Sequence, residues 1–270
     1  MSKVRESFYK KNINRFIPDR HASILICGAG SFDKQVFEEC GFDQVTISNL
    51  DSRMNGNEYA PYRWANEDAE SLSYNNNSFD YVVIHAAIHH ASSPHRVLTE
   101  MYRVAAKGVL AIESRDSLIM RVLEKFSLTQ VYEHAAVYYN DCKFGGVNNT
   151  DIPNFVYRWT EREIEKTIKS FAPYAEHDFF YRYETSFPLT PELEKNGILK
   201  YLLLRLLQPF FWLLTRIFVK QQNLFAFFIK KPAIPDQLFP WIKLTEGKQL
   251  VFNAPWGDEK YKTGKPSKHR

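Results

Sequence analysis

The chain has 270 residues, 35 Lys and Arg against 31 Asp and Glu, a formal net charge of +4, and 44% hydrophobic content. That size is ample for a buried core in one large domain or two small ones, and ordinary apolar content with 11 Gly and 13 Pro excludes disordered and fibrous chains. Three cysteines, Cys27, Cys40 and Cys142, exclude a disulfide-dense secreted scaffold, and no CxxC spacing points to zinc.

The excess charge is local. Lys260, Lys262, Lys265, Lys268 and Arg270 fall in the last stretch of the chain, which has no acid after Glu259. The body is therefore near neutral, and a nucleic-acid footprint is not expected. The first residues, MSKVRESFYKKNINRF, lack the apolar run of a signal peptide, so a cytoplasmic location is expected.

Residues 1–20 read as a helical, amphipathic lead-in ending near Pro18. Ile24–Cys27 is a short apolar strand that runs into Gly28-Ala29-Gly30, and a helix follows over Lys34–Cys40. Val45–Ile47 reads as the next strand, ending near Asp51, and Phe79–His85 as a strand covered on both faces. Pro94–Ala105 has helical spacing, and Val109–Ile112 is again a strand. Strands alternating with helices predict an α/β fold with a parallel sheet between helical layers.

Beyond Ser117 the alternation loosens, and residues 140–155 read as a long loop. Thr160 and Glu163 form a capping-box pair that starts a helix running to Phe171. Strands are expected at His177–Glu184 and Leu224–Ile229. The main domain is thus 21–233, with insertions near 117–160 and 185–220, followed by a C-terminal extension over 234–270 with a basic tail.

The chemistry concentrates after the first strand. Glycines at 28 and 30 allow a sharp turn and a close ligand approach, at a helix N-terminus with free N–H groups. An ordinary Gly-rich βα turn would look the same. Asp51, about 20 residues on at the end of the next strand, is placed to accept hydrogen bonds from a ribose diol. A dinucleotide turn would have its third glycine at position 33, where this chain has Asp33, so NAD(P) is disfavoured.

The runs ILICGAGSFD, ISNLD, EDAESLSY and SFDYVVIHAAIHHASSPHRVLTEMYRVAAKGVLAIES, in that order over residues 20–115, resemble class I S-adenosylmethionine-dependent methyltransferases, and within them the type-11 group. The resemblance implies a Rossmann-like, seven-stranded, mostly parallel sheet with helices on both faces and helical or loop insertions. It implies S-adenosylmethionine as cofactor, with Gly28, Ala29 and Gly30 under the methionine part. Asp51 would take the ribose, Asp68 and Ala69 the adenine edge, and His85 the sulfonium side. The chain departs from the pattern at Ile26, where an acid is usual, and at Phe32, where a third glycine is usual.

An oxygen or nitrogen acceptor needs alignment with the S–CH₃ bond and sometimes a base, for which histidine is the usual group. His89 and His90 are the catalytic candidates; His95 reads as helix-start decoration. His85 and His89 stand four apart, a spacing that can bind metal, but no HExxH and no nearby acid accompanies them, and no metal is expected. Asp33, Glu38 and Glu39 read as a solvated helix face. Tyr138-Tyr139-Asn140-Asp141 with Tyr157-Arg158-Trp159 could line an acceptor pocket or belong to the core.

Residues 198–229 form the other unusual segment. At helical spacing Leu202, Leu206, Phe210, Leu213 and Ile217 share a face, opposite Arg205, Gln208, Thr215 and Arg216, in one helix or two broken at Pro209. Such a helix over 198–219 suits a membrane interface, a cap over the cleft or a dimer surface. Lys230, Lys231 and the basic tail would favour an anionic surface. The reading is a methyltransferase acting on a small-molecule or lipid-linked acceptor, at a hydroxyl. A non-catalytic binding protein of the same fold and an NAD(P) oxidoreductase are the alternatives. The acceptor and the oligomeric state are left open.

Overall fold

The computed structural model describes residues 3–187, 189, 195 and 197–262. Lys265, Lys268 and Arg270 of the basic tail, and residues 188, 190–194 and 196 of the second insertion, lie outside the described residues.

A seven-stranded sheet organises the chain. In chain order its strands are β1 (Ile24–Cys27), β2 (Val45–Asn49), β3 (Arg63–Asn66), β4 (Phe79–His85), β5 (Ala105–Ser114), β6 (Asp178–Glu184) and β7 (Leu224–Lys230). They lie in the order β3-β2-β1-β4-β5-β7-β6. The first five are parallel, and β7 runs antiparallel to both β5 and β6. The expected fold class is therefore the observed one. The chain moves outward from β1 through β2 to β3 and then returns to place β4 on the other side of β1; that switch point between β1 and β4 opens the crevice in which open α/β sheets bind ligands.

Both faces of the sheet are buried, which is why its central strands read as unbroken apolar runs. Ile24 and Ile26 face α1 (Lys3–Phe16) and α2 (Ser31–Glu39), while Leu25 and Cys27 face α3 (Pro94–Val104) and α6 (Glu161–Phe171). Between them lie α4 (Leu118–Lys125) and α5 (His134–Tyr138), which occupy the first insertion. The lead-in helix α1 belongs to the core, because Tyr9, Ile13 and Ile17 recur every four residues and are fully buried. Thr160 caps α6 as expected, its hydroxyl accepting from Glu163 N–H while Glu163 accepts from Thr160 N–H. The C-terminal extension makes a small hairpin, β8 (Ile242–Leu244) with β9 (Leu250–Phe252), and ends in α8 (Ala254–Lys262).

The apolar segment is α7 (Ile198–Ile217), a single helix that continues through Pro209. Its Thr215 is buried and bonded to the Thr185 hydroxyl at 3.0 Å. Its outward stripe is apolar: Leu202, Leu206, Phe210, Leu213 and Ile217 are each at least half exposed. No helix among the described residues is long and apolar enough to cross a membrane. Two cations expected to serve an anionic surface are engaged elsewhere. Lys231 Nζ is bonded to Asn77 Oδ1, and burial lowers its pKa to about 8; Lys230 faces Asp178.

Candidate active site

The carboxyl ends of β1, β2 and β4 open into a cleft of about 280 Å³. Gly28, in the turn after β1, lines it, whereas Ala29 and Gly30 do not. Gly28 has φ +58°, and a Cβ there would stand 2.7 Å from the Ala87 Cβ. Both the backbone and the space therefore require glycine. Ala29 N–H donates to Ser48 O, Asn49 donates to Ala29 O, and Gly30 N–H donates to the Asp33 carboxylate. Gly30 is under no such constraint, since a Cβ would meet nothing within 4 Å. Gly28→Ala is expected to cost about 1–2 kcal/mol for the left-handed backbone alone, and more through the clash. Gly30→Ala should cost at most about 1 kcal/mol. Thermal unfolding of the two variants checks the contrast, and equal losses would remove it.

Asp33 corrects the reading of a solvated helix face. It is buried, accepts from the Tyr9 hydroxyl at 3.1 Å, and burial raises its carboxyl to about 6. Here an acid replaces the third dinucleotide glycine because it ties α1 and the Gly30 N–H to the start of α2. Glu38 and Glu39 do lie on the surface, paired with Lys34 and Lys10.

Asp51, Asp68 and Ala69 line the cleft with Gly28, and so does Glu67. Arg53 grips Asp51, with Nη2 at 2.6 Å from Oδ2, and that guanidinium holds the carboxyl below its usual range. Arg53 also stacks on Phe144 at 3.7 Å. Phe144 belongs to the long loop, which roofs the cleft with Asn140, Gly145, Gly146, Asn148 and Asn149. Asn148 Oδ1 accepts from Ser92 N–H at 2.9 Å, fastening the roof to the segment after β4. The sequence pointed to Asn140 as a candidate pocket residue but not to Arg53, and Asn148 and Asn149 entered only as residues of the long loop.

His85 does not line this cleft. Side chains alternate along a strand, so His85 shares the face of Val83 and turns toward α1. It is stacked on Tyr9 with ring centroids 4.5 Å apart, and burial lowers its pKa to about 4. The expectation that His85 faces the sulfonium side is thus not met in this arrangement.

His89 and His90 follow β4 on a short turn. His89 is buried, with Nδ1 at 2.9 Å from Glu113 Oε2 and Nε2 at 3.5 Å from Glu133 Oε2. Burial alone would lower its pKa, but the charges and hydrogen bonds of Glu113 and Glu133 outweigh it and raise the pKa to about 10. Both ring nitrogens of His89 thus face carboxylates, which favour its protonated form over a free base. Glu113 is fixed in turn by Ala87 N–H and Ile88 N–H, both at 2.9 Å. His90 does line the cleft, and its Nε2 is 3.1 Å from Glu133 Oε2. The expectation that no acid stands near these histidines is not met, since two do, from the end of β5 and from the insertion.

Of the aromatic cluster, only Asn140 reaches the cleft. Tyr138 and Tyr139 point to solvent, Trp159 is fully buried, Tyr157 binds Glu163, and Arg158 pairs with Glu124. No residue of 198–219 lines the cleft, so α7 is not its cap.

The segment that builds β1, β2 and β4 and carries Gly28, Asp51 and Asp68 is the one matched by a family model. That model, described as a methyltransferase domain, covers residues 25–112. Residues 25–112 thus match the type-11 methyltransferases, over about a third of the chain. No curated protein sequence matches the chain. Among solved structures, the methyltransferase domain and its surroundings are similar to the YcgJ protein of Bacillus subtilis. The TM-score is 0.50 at 14% identity, over 85% of this chain and 98% of that one. A phosphoethanolamine N-methyltransferase 2 of Haemonchus contortus, in complex with phosphomonomethylethanolamine and S-adenosylhomocysteine, gives 0.48 at 17% identity, over 84% of this chain. This chain spans about half of that one, 53%. A possible histamine N-methyltransferase of Thermotoga maritima gives 0.49 at 13%, over 85% and 89% of the two chains.

Proposed function

We propose that the chain transfers a methyl group from S-adenosylmethionine to a hydroxyl oxygen of a small-molecule or lipid-linked acceptor. The observation that carries this reading is the convergence of Gly28, Asp51, Asp68 and Ala69 on one cleft at the switch point of a methyltransferase domain. Asp51 accepts the ribose hydroxyls in exchange for part of its bonding to Arg53, whose backbone N–H and guanidinium make four contacts to its two oxygens. Asp68 and Ala69 meet the adenine edge, and the Gly28–Gly30 turn lets the methionine part approach the backbone.

The donor's sulfonium supplies an already activated methyl group. What remains for the protein is to align the acceptor, exclude water and take a proton. Asn140 and Asn148 in the roof, held by Ala136 O and Ser92, exclude water from the acceptor. His90 holds its Nε2–H on Glu133, which leaves Nδ1 to accept the hydroxyl proton.

Asp51→Ala is expected to weaken S-adenosylmethionine at least about 10-fold, because hydrogen bonds to a charged group contribute roughly 1.5–3 kcal/mol. Titration calorimetry on both proteins measures it. If neither binds the donor, the fold serves as a non-catalytic binding module; if both bind it equally, Asp51 does not hold the ribose.

A second reading, membrane contact by a cytoplasmic enzyme, rests on the outward stripe of α7. The turn at Val219–Gln221 joins it to α4, whose Leu118, Val122 and Phe126 are also exposed, and Ile119 N–H donates to Gln221. Arg205, Arg216 and Lys220 border this apolar surface. Apolar side chains rimmed by cations suit an anionic lipid interface, where a lipid-linked acceptor would be met.

A further inference from the structure

The histidine–glutamate cluster beside the cleft has a geometry that a hydrogen-bond network alone does not require. His89 Nε2, His90 Nε2 and a Glu133 oxygen lie within 4.8 Å of one another. Bonds of about 2.0–2.1 Å to a four- or six-coordinate cation separate neighbouring ligand atoms by roughly 2.9–3.4 Å. The two glutamate–histidine separations, 3.5 and 3.1 Å, already lie at or near that range. The two histidine nitrogens lie within 4.8 Å of each other, and His90 is partly exposed.

The surroundings are those of a ligand set. Glu113 accepts from His89 Nδ1, which fixes the tautomer that presents Nε2 toward Glu133 and makes it a better donor. Glu113 is itself held by two backbone N–H groups. Asn154 donates to Glu133 Oε2 at 3.3 Å and to His89 O at 3.2 Å, tying the insertion to the turn that carries both histidines. His90 lines the cleft, so the remaining coordination positions open toward the bound substrates.

We propose that His89, His90 and Glu133 form a divalent transition-metal site at the wall of the cleft, with open positions facing the acceptor. Two imidazoles and one carboxylate select zinc, cobalt, nickel or iron over magnesium or calcium, which prefer oxygen ligands throughout. Binding displaces the proton between His89 Nε2 and Glu133 to solvent, and the neutral His90 carries its proton on Nδ1 instead of Nε2.

For catalysis this deepens, and rests on, the methyl-transfer reading. With the cation bound, His90 is a ligand and no longer the base. An acceptor hydroxyl on an open position loses its proton to water; its oxygen then forms the bond to the methyl carbon as the S–C bond breaks. The acceptor class this favours is a hydroxyl compound with a second oxygen able to chelate, such as a catechol or an α-hydroxy carbonyl.

The test is a titration of the chelator-treated protein with cobalt(II), read by its visible absorption, alongside His90→Ala and Glu133→Gln. A saturable band at one equivalent is expected. Each variant should bind cobalt at least about 100-fold more weakly, since loss of an outer-shell partner alone costs 10–100-fold. Unchanged thermal unfolding of the variants without metal shows that they fold. Absence of the band, or parental affinity in both variants, overturns the site. S-adenosylmethionine binding to the metal-free protein is measured separately, so failure of the metal site and failure of the methyltransferase reading give different results.

Discussion

Glu113→Ala should lower stability by about 3–5 kcal/mol, because it strands the charge of His89 in the protein interior. For a chain of this size that is a fall of roughly 6–15 °C in the unfolding midpoint. Glu113 accepts three hydrogen bonds, from His89, Ala87 and Ile88, and its carboxylate is fully buried. Replacing both partners by leucine should recover much of the loss, since the desolvation cost of the two charges disappears with them. A double-mutant cycle by thermal or denaturant unfolding measures this. Equal destabilisation in the single and double variants would show that packing, and not the stranded charge, sets the cost.

The same pair fixes a pH dependence. His89 has a folded pKa of about 10, above the 6.5 of a free histidine. Its contribution is complete below 6.5 and is lost as pH rises toward 10. Glu113 is shifted the other way, with burial opposing but the His89 charge prevailing, so its share is present above the ordinary glutamate value and lost in acid. Stability of the chelator-treated protein should therefore decline between pH 7 and 10, and less so in Glu113→Gln. A profile of the variant parallel to that of the parent sinks this account.

The second large effect concerns α7. Leu206→Glu together with Phe210→Glu should reduce partitioning onto anionic phospholipid vesicles at least about 100-fold, as each buried side chain contributes roughly 1.5–3 kcal/mol. Because Leu206 and Phe210 are 76% and 62% exposed, thermal unfolding should move little. Raising salt should weaken binding of the parent protein through Arg205, Arg216 and Lys220. Sedimentation with vesicles reads both effects. Equal partitioning of parent and variant, or a variant that loses its oligomeric state instead, would assign the stripe to another copy of the chain.

Local patterns carried most of the fold. Phe79–His85 and the start of α6 at Thr160 were legible because apolar runs and capping pairs are properties of a few adjacent residues. The strand Arg63–Asn66 was not, since RWAN is short, half polar and lies at the sheet edge. Within the cleft, Gly28 and Asp51 could be named from their spacing, and Asp68 and Ala69 only through the family resemblance. His85 could not be placed, because its face depends on strand parity relative to the core. Glu113 and Glu133 stand 24 and 44 residues from His89, and no spacing rule brings such partners together. The polar side of α7 turned out to face inward at Thr215, which periodicity alone leaves undecided.

The acids around the cleft have one more effect. Asp51, Glu67 and Asp68 line it with a single close guanidinium, that of Arg53, and Glu113 and Glu133 stand behind with the one charge of His89. The local field therefore favours positive charge. On the proposed reading the incoming donor carries a sulfonium cation and the spent donor is a neutral thioether. The protein thus attracts the fresh molecule more strongly than the used one, and the chemical step itself loosens the grip that must be released before another turnover.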